Sequence, residues 1–134
     1  MIAFRLTFQP GVPVYQQVVY AAKKAIIAGQ MRAGDRFPSV RTLSQELKIN
    51  PNTAHKVVTQ LISDGLLEVH PGRGTLVTDL PASAARERTQ LLKGELEALV
   101  VEAKRLRIDL GDVQAALSKH WERLGFDQRK GEKS

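Results

Sequence analysis

Asn50, Asn52, Thr53, His55 and Lys56 place five polar side chains within seven positions. Such side chains suit base edges and phosphates when they cluster at the partly positive N-terminus of a helix, where they offer short donors and acceptors. The local sequence predicts that helix. Asn50 is a good N-cap, and Pro51 stands where the first helical residue belongs. Ala54, Val57, Val58, Leu61 and Ile62 then recur at helical spacing, so a helix over 50–61 packs one face and offers the other to a partner. A solvated polar face would show the same pattern, so the flanking segments decide between the two.

Upstream, Ser39 can cap a short helix from Val40 to about Lys48, with Val40, Leu43 and Leu47 on one face and Arg41 in the first turn. The connection Ile49-Asn50 is tight, so the two helices read as a helix-turn-helix. Arg41 can reach phosphate or a guanine edge from there. Downstream, Gly65 stops the second helix. Leu66–His70 and Thr75–Thr78 are short strand-like segments around a four-residue tip, Pro71-Gly72-Arg73-Gly74. A hairpin directly after such a helix is a wing. Gly72 and Gly74 allow close approach to a sugar-phosphate chain, and Arg73 suits the minor groove or a phosphate. An ordinary glycine turn with a solvated arginine is the alternative.

Other chemistries find little support. The chain has 134 residues and no cysteine, which excludes disulfides, thiolate metal sites and cysteine nucleophiles. His55, His70 and His120 are scattered, with no ligand spacing between them, so no metal site is expected. There is no G-x-S-x-G, P-loop or G-x-G-x-x-G, and neither an enzyme nor a cofactor is expected. Trp121 reads as core, not as a stacking ring. Few aromatics are present and none interleaves with basic residues on strands, which disfavours single-strand recognition.

The formal net charge is +6, which weakly favours a polyanionic partner. Residues 1–79 carry nine Lys or Arg against five Asp or Glu, and residues 80–134 carry eleven against nine. The N-terminal part is thus the more suited to phosphates. No apolar run approaches the roughly 20 residues of a membrane span, and the N-terminus lacks a signal-peptide pattern, so a cytoplasmic protein is expected.

The elements that must position these residues follow in order. Residues 1–12 read as an extended arm, and Pro13 opens a scaffold helix to about Ala28, stopped by Gly29. Residues 31–38 read as a loop with one short strand near Asp35–Phe37. Residues 79–83 form a linker. Ala84 to Ile108 follows as one long helix, in which Leu92, Leu96, Leu99, Ala103 and Leu106 make a heptad seam. Asp109 caps a last helix whose stripe of Val113, Leu117, Trp121 and Leu124 runs to a stop at Gly125. The tail, 126–134, is expected to be disordered. So much apolar surface on two helices predicts a homodimer, although folding back onto the N-terminal domain would also hide it.

The segments 13–17, 31–43 and 49–53, followed by 61–67 and 72–77, resemble the winged-helix domain of GntR-family bacterial transcription regulators. The resemblance covers about residues 10–78, and the two-helix appendage looks like that of the YtrA subfamily, whose C-terminal part serves dimerisation. It implies a mainly α fold with a small β-wing, a winged helix-turn-helix domain (1–79) and a helical dimerisation domain (80–125). It also implies DNA contacts at Arg41, Asn52, Thr53, His55 and Gly72 with its neighbours. Pro51 stands where many relatives carry a guanine-reading arginine, and His55-Lys56 where arginine pairs are usual, which implies a different operator or weaker base reading. Regulators of this subfamily often control transporter operons.

The candidate DNA-binding set is therefore Ser39, Arg41, Asn50, Asn52, Thr53, His55, Lys56, Gly72, Arg73 and Gly74. The dimerisation set is Leu92, Leu96, Leu99, Ala103, Leu106, Leu117 and Trp121. The expected function is repression through a palindromic double-stranded operator bound by a homodimer. A protein-interaction module using the winged helix as a scaffold is the rival reading. A small-molecule sensor is a second rival; the appendage is too small to enclose a pocket of several hundred Å3, though the dimer interface could still form a cleft.

Overall fold

The computed structural model describes residues 2–80 and 85–125. The chain divides into two compact units, the first running to residue 81 and taking in Gly125, the second spanning residues 82–124. In the first, α1 (Val14–Ile27), α2 (Val40–Leu47) and α3 (Pro51–Ser63) precede β1 (Leu67–His70) and β2 (Gly74–Val77). Each helix begins and ends where local chemistry dictates. Pro13 is the N-cap of α1, and beyond its C-cap Ala28 the chain turns at Gly29, whose φ is +85°. Ser39 Oγ accepts from the Thr42 N–H at 3.1 Å to cap α2. Lys48 then takes the left-handed conformation, φ 56°, and closes the helix on the Ser44 carbonyl. The turn is held from both sides: Ile49 N–H donates to the Ser44 carbonyl at 3.1 Å, and Ser44 Oγ donates to the Ile49 carbonyl at 2.7 Å.

The helices α1 and α2 both pack against α3, and the hairpin closes the remaining side. Val18, Leu43, Val57, Leu61 and Leu67 are the largest fully buried side chains. The arm contributes Phe4, buried and stacked on Phe37 with ring centroids 6.1 Å apart. Gln17 holds the arm's end, donating to the Gln9 and Val12 carbonyls and accepting from the Gln9 N–H, each at 2.9 Å.

In the wing, β1 and β2 pair antiparallel with Leu67 opposite Val77 and His70 opposite Gly74. The tip therefore has three residues, Pro71-Gly72-Arg73, where four were expected. Gly74 belongs to the ladder because Arg73 N–H bonds the His70 carbonyl at 2.9 Å and tightens the turn. The expected strand near Asp35–Phe37 is a single bridge, Arg36 to Leu76. Phe37 N–H donates to the Thr75 carbonyl and Val77 N–H to the Asp35 carbonyl, both at 2.8 Å, which lays this segment along β2.

The second unit holds α4 (Ala85–Thr89), a π-helical turn (Gln90–Glu95), α5 (Leu96–Arg105) and α6 (Leu110–Arg123). The uninterrupted α-helix expected from 84 to 108 is thus broken by a wider turn. Gly94 lies within it, where a missing side chain lowers helix preference. The step from Leu92 to Leu96 crosses this turn, so the 4-3-4-3 spacing does not keep Leu92 on a straight seam. Asp109 caps α6, its Oδ1 accepting from the Asp112 N–H at 2.9 Å. The linker residues 81–83 and the tail 126–134 lie outside the described residues.

Burial ranks the apolar positions of α3. Replacing Leu61, which is fully buried, with alanine should cost about 2–5 kcal/mol. Replacing its neighbour Ile62, which is 37% exposed, should cost less, about 1 kcal/mol. Urea unfolding of the two variants checks this, and equal losses would contradict the packing described.

Candidate nucleic-acid interface

Because Ala54, Val57 and Leu61 face the core, the opposite side of α3 is presented to solvent. Asn52, His55 and Lys56 are exposed there, with Thr53 half-buried beside them. The side chains of Asn52 and His55 make no hydrogen bond or ion pair among the described residues. Arg41, second residue of α2, is exposed. At the wing tip, Gly72, Arg73 and Gly74 are all exposed. The glycines have φ of +79° and +96°, and a Cβ at either would meet no atom within 4 Å. Their first role is thus the left-handed backbone of the tip, not relief of crowding inside the chain.

Two members of the sequence-derived set have jobs within the fold. Asn50 Oδ1 accepts from the Asn52 N–H at 2.7 Å, which makes it the cap of α3. Ser39 Oγ, besides capping α2, donates to Thr42 Oγ1 at 3.1 Å. These contacts hold the two side chains at the helix ends. Lys56 is also placed differently from a freely extended phosphate ligand. Its ammonium stands 4.0 Å from the centroid of the Tyr15 ring, a cation–π contact that ties α3 to the start of α1.

Sequence reasoning missed Tyr15, because nothing local to α1 shows which residue of α3 it meets. It also missed Arg36, whose Nε donates to the Arg73 carbonyl at 2.9 Å across 37 positions of sequence. Near the tip, His70 Nε2 and Glu68 Oε2 stand 2.7 Å apart, a largely solvated pair of little energetic weight. Among the described residues, no group of three or more His, Cys, Asp or Glu could hold a metal ion. Among the described residues no helix is long and apolar enough to cross a membrane either.

The second unit supplies apolar surface. Leu92, Leu96, Leu99, Leu106, Leu117 and Trp121 are all exposed, and only Ala103 of the expected dimerisation set is buried. Trp121, read from sequence as core, is 59% exposed in the single chain. Of its stripe on α6, Leu117 is exposed as well, while Val113 and Leu124 are half-buried.

Comparison with known proteins accords with this geometry. The family model for "Bacterial regulatory proteins, gntR family" matches residues 14–77. The chain is 33% identical over 97 residues to the HTH-type transcriptional repressor YtrA of Bacillus subtilis, covering 72% of this chain and 70% of that one. It is similar to the solved structure of a GntR family transcriptional regulator from Listeria monocytogenes, with TM-score 0.63, 26% identity and coverage of 84% and 98%. It is also similar to AraR(DBD) solved in complex with operator ORX1, with TM-score 0.51, 26% identity and coverage of 58% and 100%.

The capping geometry separates fold from recognition at one position. Asn50→Ala should lose about 1 kcal/mol of stability, while Asn50→Ser, which can still accept from the Asn52 N–H, should lose little. Thermal unfolding of the pair checks this, and a Ser variant as unstable as the Ala variant would remove the capping role.

Proposed function

The chain belongs to the GntR family of bacterial regulatory proteins, and from that premise we propose that it represses transcription as a homodimer on a palindromic operator. Members of the family are DNA-binding transcriptional regulators. The observation that carries the specific reading is the shared exposure of Asn52, His55 and Arg73, which α3 and the wing present with no side-chain partner among the described residues.

On this reading Asn52 and His55 meet base edges in the major groove, with Thr53 beside them. Arg41 approaches from the first turn of α2. Lys56, held against Tyr15, acts on phosphate, and Arg73 enters the minor groove or holds its sugar-phosphate wall. Ser39 and Asn50 support this interface by starting α2 and α3, and through backbone groups near the DNA.

The apolar residues left open on α5 and α6 support a homodimer. A second copy would cover Leu96, Leu99, Leu106, Leu117 and Trp121 with the same residues of its own, as an isologous interface does. Two copies then offer two α3 helices to two half-sites. Repression is supported by the similarity to a relative named a transcriptional repressor. Control of a transporter operon is the finer proposal that follows from the YtrA-like appendage.

Selection of bound duplexes from a random pool, with mass measured by light scattering, tests the whole. Enrichment of one inverted repeat by a dimer is expected. Binding without enrichment, or a heterodimer without DNA affinity, would overturn it in favour of nonspecific binding or the interaction module.

Individual substitutions resolve the roles. Asn52→Ala should cost about 1–3 kcal/mol at a single base pair, whereas Arg73→Ala should weaken all sequences and flatten the salt dependence by about one unit of slope. Titrations of the selected operator and its single-base variants at several salt concentrations distinguish these outcomes. Leu99→Glu should leave a monomer whose operator affinity is down by about 100-fold or more, since the second half-site no longer adds to the first. A Leu99→Glu dimer with unchanged affinity would remove α5 from the interface.

A further inference from the structure

The contact between Arg36 and the wing tip does more than close a loop. A guanidinium presents a fork of N–H donors and no acceptor. Here the Nε–H alone is spent on the Arg73 carbonyl, which leaves the Nη edge unpaired among the described residues. That carbonyl belongs to the very residue whose side chain is proposed to meet DNA. Its negative end would oppose a phosphate, and Arg36 covers it with positive charge.

The partners of the sheet's carboxylates point the same way. Asp35 and Glu68 lie on its three segments, and each has a hydrogen-bond partner other than Arg36 or Arg73. Asp35 Oδ2 accepts from the Arg32 N–H at 2.8 Å, and Glu68 pairs with His70. Neither Asp35 nor Glu68 pairs with Arg36 or Arg73. Arg36 and the exposed Arg73 add positive charge at one turn, and a polyanion is the complementary partner.

The base from which Arg36 reaches is rigid. Its neighbour Phe37 is buried and stacked on Phe4, and the backbone on either side bonds β2 through Asp35 and Phe37. Pro38 and Ser39 then lead directly into the α2 cap. A side chain anchored there ties the wing to the helix that carries Arg41.

Resting on the reading of Arg73 as a DNA contact, we propose that Arg36 positions the wing tip through the Arg73 carbonyl and offers its Nη edge to the same stretch of DNA phosphate. Tip and strand then act as one two-guanidinium unit.

The test uses the full chain and the duplex it selects. Arg36→Gln should bind that operator about tenfold more weakly, with a salt slope shallower by about one. Arg36→Lys should recover the slope, since the charge remains, but not the full affinity, since the planar fork is gone. Arg73→Ala should cost less in the Arg36→Gln background than in the wild type, because the two residues work as a unit. In the free protein, the Arg73 amide bonded to His70 should exchange faster once Arg36 is replaced, while the melting temperature stays put.

Wild-type affinity and slope in Arg36→Gln, or losses that simply add, would overturn the inference while leaving the regulator reading intact. An unchanged Arg73 amide would overturn the positioning role whatever the DNA result. Failure of the wild type itself to select any duplex would overturn the regulator reading and this inference with it.

Discussion

Everything that the first unit presents to a partner depends on one packing constraint, the burial of Ala54, Val57 and Leu61 of α3 against α1 and α2. These residues occupy one side of a 13-residue helix, so their burial turns the intervening Asn52 and His55 outward. A helix rotated by one residue would exchange Val57 for Val58 and Leu61 for Ile62 but put His55 toward the core in place of Ala54, burying a polar ring without a partner. The exposed polar face of α3 is thus specified from behind. The caps at Ser39 and Asn50 add where each helix starts, and the left-handed Lys48 sets the bend between them.

Caps, stops and periodicities were legible in the sequence because each is decided within about one turn of chain. Ser39, Asn50 and Asp109 accept from N–H groups two or three residues ahead, and Gly29 and Gly65 adopt the positive φ that their positions as stops require. The hairpin was legible too, apart from one residue at its tip. What could not be read was decided by residues distant in sequence. Tyr15 meets Lys56 only because α1 packs on α3, and Arg36 meets Arg73 only because the bridge to Leu76 lays one segment beside another. The cover of Trp121 was not legible for a related reason. An apolar stripe announces that something must cover it, but not that the cover lies within the same chain.

That last point bears on energetics. Long apolar side chains of α5 and α6 remain exposed in the single chain, and each would gain roughly 1.5–3 kcal/mol from full burial. A unit in which Ala103 is the one buried residue of the described part has no core of its own to fold around. If, as proposed, a second copy supplies that core, then folding of this unit and association are one equilibrium. Stability then rises with protein concentration.

The same coupling reaches the DNA. A winged-helix domain that docks a single α3 gains one set of contacts, and much of that gain is electrostatic and lost to salt. Joining two such domains makes the second docking intramolecular, with the spacing of half-sites as a further condition on sequence. In the proposed assembly the exposed leucines are therefore part of specificity, although none of them approaches a base. The π-helical turn at Gln90–Glu95 lies between the wing and the α5 seam in sequence. Its wider winding sets the rotation at which α5 leaves α4, and so the direction in which the seam faces. A substitution at Gly94 that favours the ordinary helix would turn Leu96 and Leu99 relative to α4. Dimer strength and half-site spacing would then change together, without any altered contact to DNA.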